Sequence, residues 1–314
     1  MSATSSSPMD IYAAPQTLVW LNRRRRFNLH LMGEGGPTVI LAAGFLGGPL
    51  DWGRVQPFVA RFARTVTYDN AGLGFSDPGP RPRTTDAIVD DLRAALAAAG
   101  IAPPYVLAGH SAGGLRMRRF AERWPDEVAG LVMIDSVLAD WERRLDGGPC
   151  PAVVAERVLF RRMLAMARTG ALTPQTSAYR DRIGLPRPEL SPAVNAALHA
   201  MWTRPSYLAT AISESSHLGT GGEPGPAPVS LGDLPLRVLS AGRVAEAEFI
   251  GGDAGRAKAW FAMHDELAAL STRGARRVLD GGHNLPIDCP RQVVAAIEEV
   301  VVMARADLAA RSSR

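Results

Sequence analysis

Short apolar runs alternate with amphipathic stretches through most of the chain, and their spacing sets the expected fold. Residues 18–21 (LVWL) and 27–32 (FNLHLM) predict an antiparallel strand pair. Residues 38–43 (TVILAA) are almost continuously apolar between Gly-Pro and Gly, the pattern of a strand buried on both faces. Residues 52–62 have helical periodicity, 65–69 read as the next strand, and 85–99 as an Ala-rich amphipathic helix ended by Gly100. A strand at 105–108, a helix at 112–123 and a strand at 128–134 follow. This alternation predicts an α/β fold with a mostly parallel, doubly wound sheet.

The pattern changes from Ser136 to about Leu231. Strand-like runs stop, helix-like pieces at 152–167 and 192–201 are broken by prolines, and 219–228 is a Gly/Pro linker. Alternation then resumes with strands at 236–239 and 276–279 and helices at 254–270 and 291–304. The expected organisation is a disordered N-terminus (1–17), an α/β core (18–135 and 232–314) and a helical cap (136–231) inserted after the sixth strand.

Composition narrows the class without naming a reaction. The 314 residues are 46% hydrophobic and 21% charged, as in an ordinary globular chain with a sizeable core. No apolar run reaches the length of a membrane span, and Met1–Pro8 lacks the basic and apolar regions of a leader, so a cytoplasmic protein is expected. Cys150 and Cys289 read as free structural thiols. The net charge of +4 is carried almost wholly by arginine, Lys258 being the one lysine. The cluster Arg23–Arg26 lies between two strands and reads as a solvated hairpin, with no nucleic-acid motif beside it. No His/Cys/Glu cluster has metal-ligand spacing, so neither metal nor cofactor is expected. The expected partner is a small molecule with an apolar acyl or alcohol part, acted on by a monomer or homodimer.

The candidate chemistry begins at Gly109-His110-Ser111-Ala112-Gly113, a G-x-S-x-G sequence placed between a strand and a helix. That turn is sharp enough that side chains at 109 and 113 would strike neighbouring backbone, and it projects Ser111 above the sheet edge. Ser111 is the expected nucleophile. The Ala112 N–H, at a helix N-terminus, points to where an oxyanion would form. The second donor is expected from the loop Ala43–Gly48, at the Phe45 N–H. That loop does not fit G-x-G-x-x-G, which argues against a dinucleotide site.

Of the six histidines, only His283 follows a late strand in a Gly-rich loop, where the order Ser…Asp/Glu…His puts the general base. His110 adjoins the nucleophile in a turn expected to aim it elsewhere, and His264 falls within a helix. The orienting acid is less direct. The usual position after the seventh strand holds Ala245, with Glu246 one residue displaced. Asp135, at the end of the sixth strand, opens onto the same edge and is preferred, with Glu246 as the alternative. Asp69 and Asp77 flank a turn and read as turn-stabilising, Asp253 as a helix cap.

The segment Tyr68–Asp77 (YDNAGLGFSD), the GHSAG turn, Pro125–Val128 and Gly282-His283 together resemble the α/β-hydrolase superfamily. The subgroup they resemble holds bacterial esterases and proline-iminopeptidase-like enzymes with a helical cap. The resemblance covers about residues 18–135 and 232–304 and implies a serine hydrolase, with carboxylic esters as the default substrate. Other chemistry on the same triad is open to such a fold: lactone, thioester, amide or carbon–carbon hydrolysis, or perhydrolysis. So is a catalytically dead, ligand-binding role. Two departures stand out. Ala43-Gly44 occupies the place of a frequent His-Gly, and serine at 111 differs from the aspartate of haloalkane dehalogenases and epoxide hydrolases.

Overall fold

The computed structural model describes residues 7–183, 185–218, 229–247 and 250–313. Eight strands form one sheet: β1 (Thr17–Asn22), β2 (Arg25–Met32), β3 (Thr38–Ala42), β4 (Thr65–Tyr68), β5 (Tyr105–His110), β6 (Val128–Ile134), β7 (Leu236–Ala241) and β8 (Gly274–Leu279). Their order is β1-β2-β4-β3-β5-β6-β7-β8. β1 and β2 run antiparallel to their neighbours, and β3 to β8 pair in parallel. Every residue of β3, β4, β5 and β7 is buried, so these strands lack the in–out alternation of a sheet with one wet face. The edge strand β8 is more exposed, and its Arg276 and Arg277 pair with Asp265 and Glu299. Charged side chains of this kind blunt an open sheet edge.

The helices in chain order are α1 (Gln56–Val59), α2 (Thr85–Ala98), α3 (Ala112–Arg123), α4 (Trp141–Asp146), α5 (Pro151–Arg168), α6 (Ser177–Ile183), α7 (Pro192–Trp202), α8 (Pro205–Ser215), α9 (Ala254–Ala268), α10 (Leu285–Asp288) and α11 (Pro290–Ser312). α3 packs on β3, β5 and β6, while α11 packs on β5, β6 and β7. α11 comes close because Gly130 of β6 lacks a side chain; a Cβ there would lie 2.3 Å from Val300.

Two expectations fail here. The helix expected over 52–62 is a 3-10 turn at Pro49–Trp52 followed by the single turn α1, because Gly53 and Pro57 interrupt the periodic stretch. The disorder expected over 1–17 does not hold for its later part. Pro8–Ala13 is a 3-10 helix capped by Ser7, and Tyr12 is buried against His30 with its hydroxyl 3.4 Å from Gln56 Oε1. The Gly/Pro stretch 219–228 lies outside the described residues.

Helices α4 to α8 come between β6 and β7 in the chain. A second apolar cluster ties them to the core, bringing Phe160, Met163, Tyr207 and Leu208 against Leu46 and Leu73. Beneath it Glu214 of α8 meets Arg116 of α3 at 2.8 Å, with both side chains at most 2% exposed. Removing one member of such a pair strands the other charge away from water. Glu214→Ala is therefore expected to cost about 3–5 kcal/mol. Urea unfolding checks it; a cost under 1 kcal/mol would mean that water reaches Arg116.

Candidate active site

Ser111 stands between the last residue of β5 and the first of α3, with φ 53° and ψ −122°. The chain can turn this tightly because of its neighbours. A Cβ at Gly109 would lie 2.4 Å from the Gly113 carbonyl, and one at Gly113 would lie 2.2 Å from the Ala42 oxygen. The Ser111 N–H donates to Ile134 O at 2.9 Å, fixing the turn to β6. Among the described residues only Leu46, Ser111 and Asp135 combine a side chain with positive φ. All three sit here, where strained backbone tends to concentrate in functional sites.

His283, in the loop between β8 and α10, bridges the other two groups. Its Nε2 is 3.0 Å from Ser111 Oγ and its Nδ1 is 2.6 Å from Asp135 Oδ2. A neutral imidazole satisfies both contacts when Nδ1–H donates to the carboxylate and Nε2 accepts from the serine hydroxyl. Asp135 follows β6 and is fully buried. Its Oδ1 accepts from the Ala241 N–H (2.9 Å) and from Trp260 Nε1 (3.2 Å). Burial works to raise the Asp135 carboxyl, but the His283 hydrogen bond and charge, His264 and the Ala241 amide hold it below the ordinary value. The alternative acid, Glu246, is exposed in a 3-10 turn and reaches toward Arg243.

Two further histidines shape this arrangement. His110 Nε2–H donates to the His283 carbonyl at 2.7 Å, so the turn aims it at the loop that carries His283. Burial first, and then His283, drive the His110 pKa down to about 3, which keeps it neutral. His264 lies 3.9 Å from Asp135 Oδ1. Its Nε2–H donates to Ser136 O and its Nδ1 accepts from Ser240 Oγ. Sequence reasoning gave none of His110, Trp260 and His264 this placement. The one available signal was Trp260 and His264 spaced one helical turn apart, which puts both rings on one face of α9.

Phe45 lies in the turn after β3, which Gly47 N–H closes on Gly44 O at 3.2 Å. This turn passes directly beside the serine, since a Cβ on Gly44 would be 3.3 Å from Ser111 Cβ. Ala112 opens α3, so its N–H has no carbonyl one turn earlier in the helix to bond. Asp69 accepts from Phe75 N–H and Asn28 Nδ2, the turn-holding role read from the sequence. Burial, opposed by these bonds, pushes its carboxyl up to about 6.

Ser111 and His283 open into a cavity of about 780 Å³, a volume suited to a small molecule. Leu159, Leu198, Met201 and Trp202 line it from α5 and α7, Phe45 from the turn after β3, and Val137 and Trp141 from the chain that follows β6. Met163 is fully buried, and neither it nor Met166 lines the cavity.

A family model described as the alpha/beta hydrolase fold matches residues 37–149. The chain has the α/β-hydrolase fold. Solved structures agree with this fold across nearly the whole chain. A thermophilic esterase from Thermogutta terrifontis superposes with a TM-score of 0.61 at 20% identity, over 93% of this chain and 99% of that one. A structure described under novel epoxide hydrolases from hot-environment metagenomes gives a TM-score of 0.66 at 16% identity, over 91% and 98%. Among curated proteins, YqjL of Bacillus subtilis, described as uncharacterized, is 31% identical over 35% of this chain and 44% of its own length. RutD of Cronobacter sakazakii, named as a proposed carbamate hydrolase, is 31% identical over 40% and 51%. The matches thus span about half the length of these relatives. Among the described residues, no helix is long and apolar enough to cross a membrane.

Proposed function

We propose that this chain is a serine hydrolase that cleaves an ester-like acyl bond, in the first place a carboxylic ester, through an acyl-enzyme. The continuous contact Ser111–His283–Asp135 beside a cavity of small-molecule size carries the reading. His283 Nε2 takes the hydroxyl proton as Ser111 Oγ attacks the carbonyl carbon. The N–H groups of Phe45 and Ala112 receive the oxyanion, and Asp135 supports the imidazolium. On collapse the leaving alcohol takes the proton from His283. Water then enters and attacks the acyl carbon as its proton passes to the same nitrogen; on collapse that nitrogen returns the proton to Ser111 Oγ, and the acid leaves.

The serine itself favours acyl transfer over the epoxide opening named for one structural neighbour. Serine attack on an epoxide carbon would leave an ether, which a histidine and water do not cleave, whereas an acyl-serine ester hydrolyses. The carbamate and ester hydrolases among the similar proteins fit the same acyl chemistry.

A fluorophosphonate probe tests this directly. Wild-type protein should be labelled at Ser111, and a screen of esters, lactones, amides and thioesters should give turnover. Absence of both labelling and turnover would sink the reading.

In this reading the helices over residues 136–231 act as a cap that sets substrate size. Trp202→Ala should enlarge the cavity and shift the preferred acyl chain by several carbons toward longer esters. Met166→Ala, outside the lining, should leave the preference in place. Chain-length profiling with p-nitrophenyl esters measures both, and an unmoved Trp202→Ala profile would separate the cap from specificity.

A further inference from the structure

α8 touches several loops around the candidate site. Besides the Arg116–Glu214 pair, Ser213 Oγ accepts from the Arg83 N–H at 2.9 Å, and Arg204, the residue before α8, donates to the Gly74 carbonyl. Thr210 nests over Gly72, where a Cβ would lie 2.2 Å from its hydroxyl oxygen. The remaining contact reaches the turn after β3. Tyr207, 3% exposed, donates its hydroxyl to the Leu46 carbonyl at 3.3 Å. Leu46 is the residue after Phe45 and holds φ 58°, a conformation costly for a side chain with a Cβ.

We infer that Tyr207 is a positioning residue for the oxyanion hole, holding Leu46 left-handed so that the preceding Phe45 N–H stays aimed beside Ser111. The physical reason is local. The Leu46 carbonyl is the acceptor through which an external donor can select one state of a turn whose backbone is otherwise strained. Release of that carbonyl lets Leu46 relax toward negative φ and rotates the peptide plane next to Phe45. Burial raises the Tyr207 phenol well above its ordinary value, so it stays protonated and remains a donor. Its ring is held independently by Trp202, whose centroid lies 4.9 Å away. The hydroxyl can therefore be removed without removing the packing.

This inference rests on the acyl-transfer reading, and the experiment separates the two. Tyr207→Phe is compared with wild type on a p-nitrophenyl ester, with active sites counted by fluorophosphonate titration to completion. An arylboronic acid, which becomes tetrahedral on the serine, reports the oxyanion hole apart from turnover. The expected result is a kcat lowered about tenfold, the worth of roughly one hydrogen bond, with KM within twofold and boronate affinity lowered in proportion. In a Leu46→Gly background the same substitution should cost less than threefold, because glycine adopts positive φ without help. Unchanged kcat and boronate affinity, a loss confined to KM, or an equal loss in the glycine background would overturn the positioning role. Full activity in Ser111→Ala would instead overturn the reading beneath it.

Discussion

Ser111→Ala should lower ester hydrolysis by about 10⁶-fold in kcat while leaving the protein folded. In the proposed reaction the oxygen removed is the atom that bonds to carbon, and His283 Nε2, 3.0 Å away, would then face no proton it could usefully take. The cost to the fold is small. Ser111 Oγ makes one hydrogen bond, worth about 1 kcal/mol, and alanine meets the same backbone strain at φ 53° that serine already tolerates. Steady-state rates on a p-nitrophenyl ester, beside unchanged unfolding by urea, are the measurement. Retention of more than a few per cent of the activity would remove Ser111 from the chemistry.

Asp135→Asn should lower kcat by about 10³–10⁴ for a reason specific to its surroundings. The Ala241 N–H and Trp260 Nε1 both donate to Oδ1. An asparagine must therefore keep its carbonyl oxygen on that side and present its NH₂ to His283 Nδ1. Two donors cannot face each other, so Nδ1 must become the acceptor and Nε2 must carry the proton. An imidazole in that tautomer cannot accept the proton of Ser111. Glu246→Gln, exposed and paired with Arg243, should change kcat by less than twofold. The reverse pattern, with Glu246→Gln crippled and Asp135→Asn active, would move the acid to the loop after β7.

The features readable from sequence are those set by neighbours in the chain. The GHSAG turn announces itself because the steric demand for Gly109 and Gly113 is local, and the buried strands because their apolar runs are continuous. His283 followed from chain order. Asp135 could be inferred only by position, since the contacts that set it, from Ala241 and Trp260, arrive with β7 and α9. Tyr207 gave no signal, because its partner is a backbone carbonyl 161 residues away that any residue type could supply. The 3-10 helix Pro8–Ala13 was missed for a related reason. A Ser-rich opening reads as solvated, and the anchoring of Tyr12 on His30 and Gln56 is a tertiary event. The helix expected over 52–62 was lost to Gly53 and Pro57, whose local preferences outweighed the periodic pattern.

The attachments of α8 bear on how freely this scaffold could exchange parts. An inserted segment joined to a sheet only at its two ends could be replaced by a foreign one of equal reach, leaving the chemistry to the host. Here a transplant of the region between β6 and β7 would strip Arg116 of its carboxylate and leave the Leu46 carbonyl without its phenol. A chimera would therefore inherit a buried unpaired cation inside the helix that follows Ser111, together with a turn beside that serine whose carbonyl has lost this donor. Recombination between relatives should succeed only when the crossover carries the Arg116–Glu214 and Leu46–Tyr207 partners as sets. In this molecule the unit of inheritance is the pair that spans the junction.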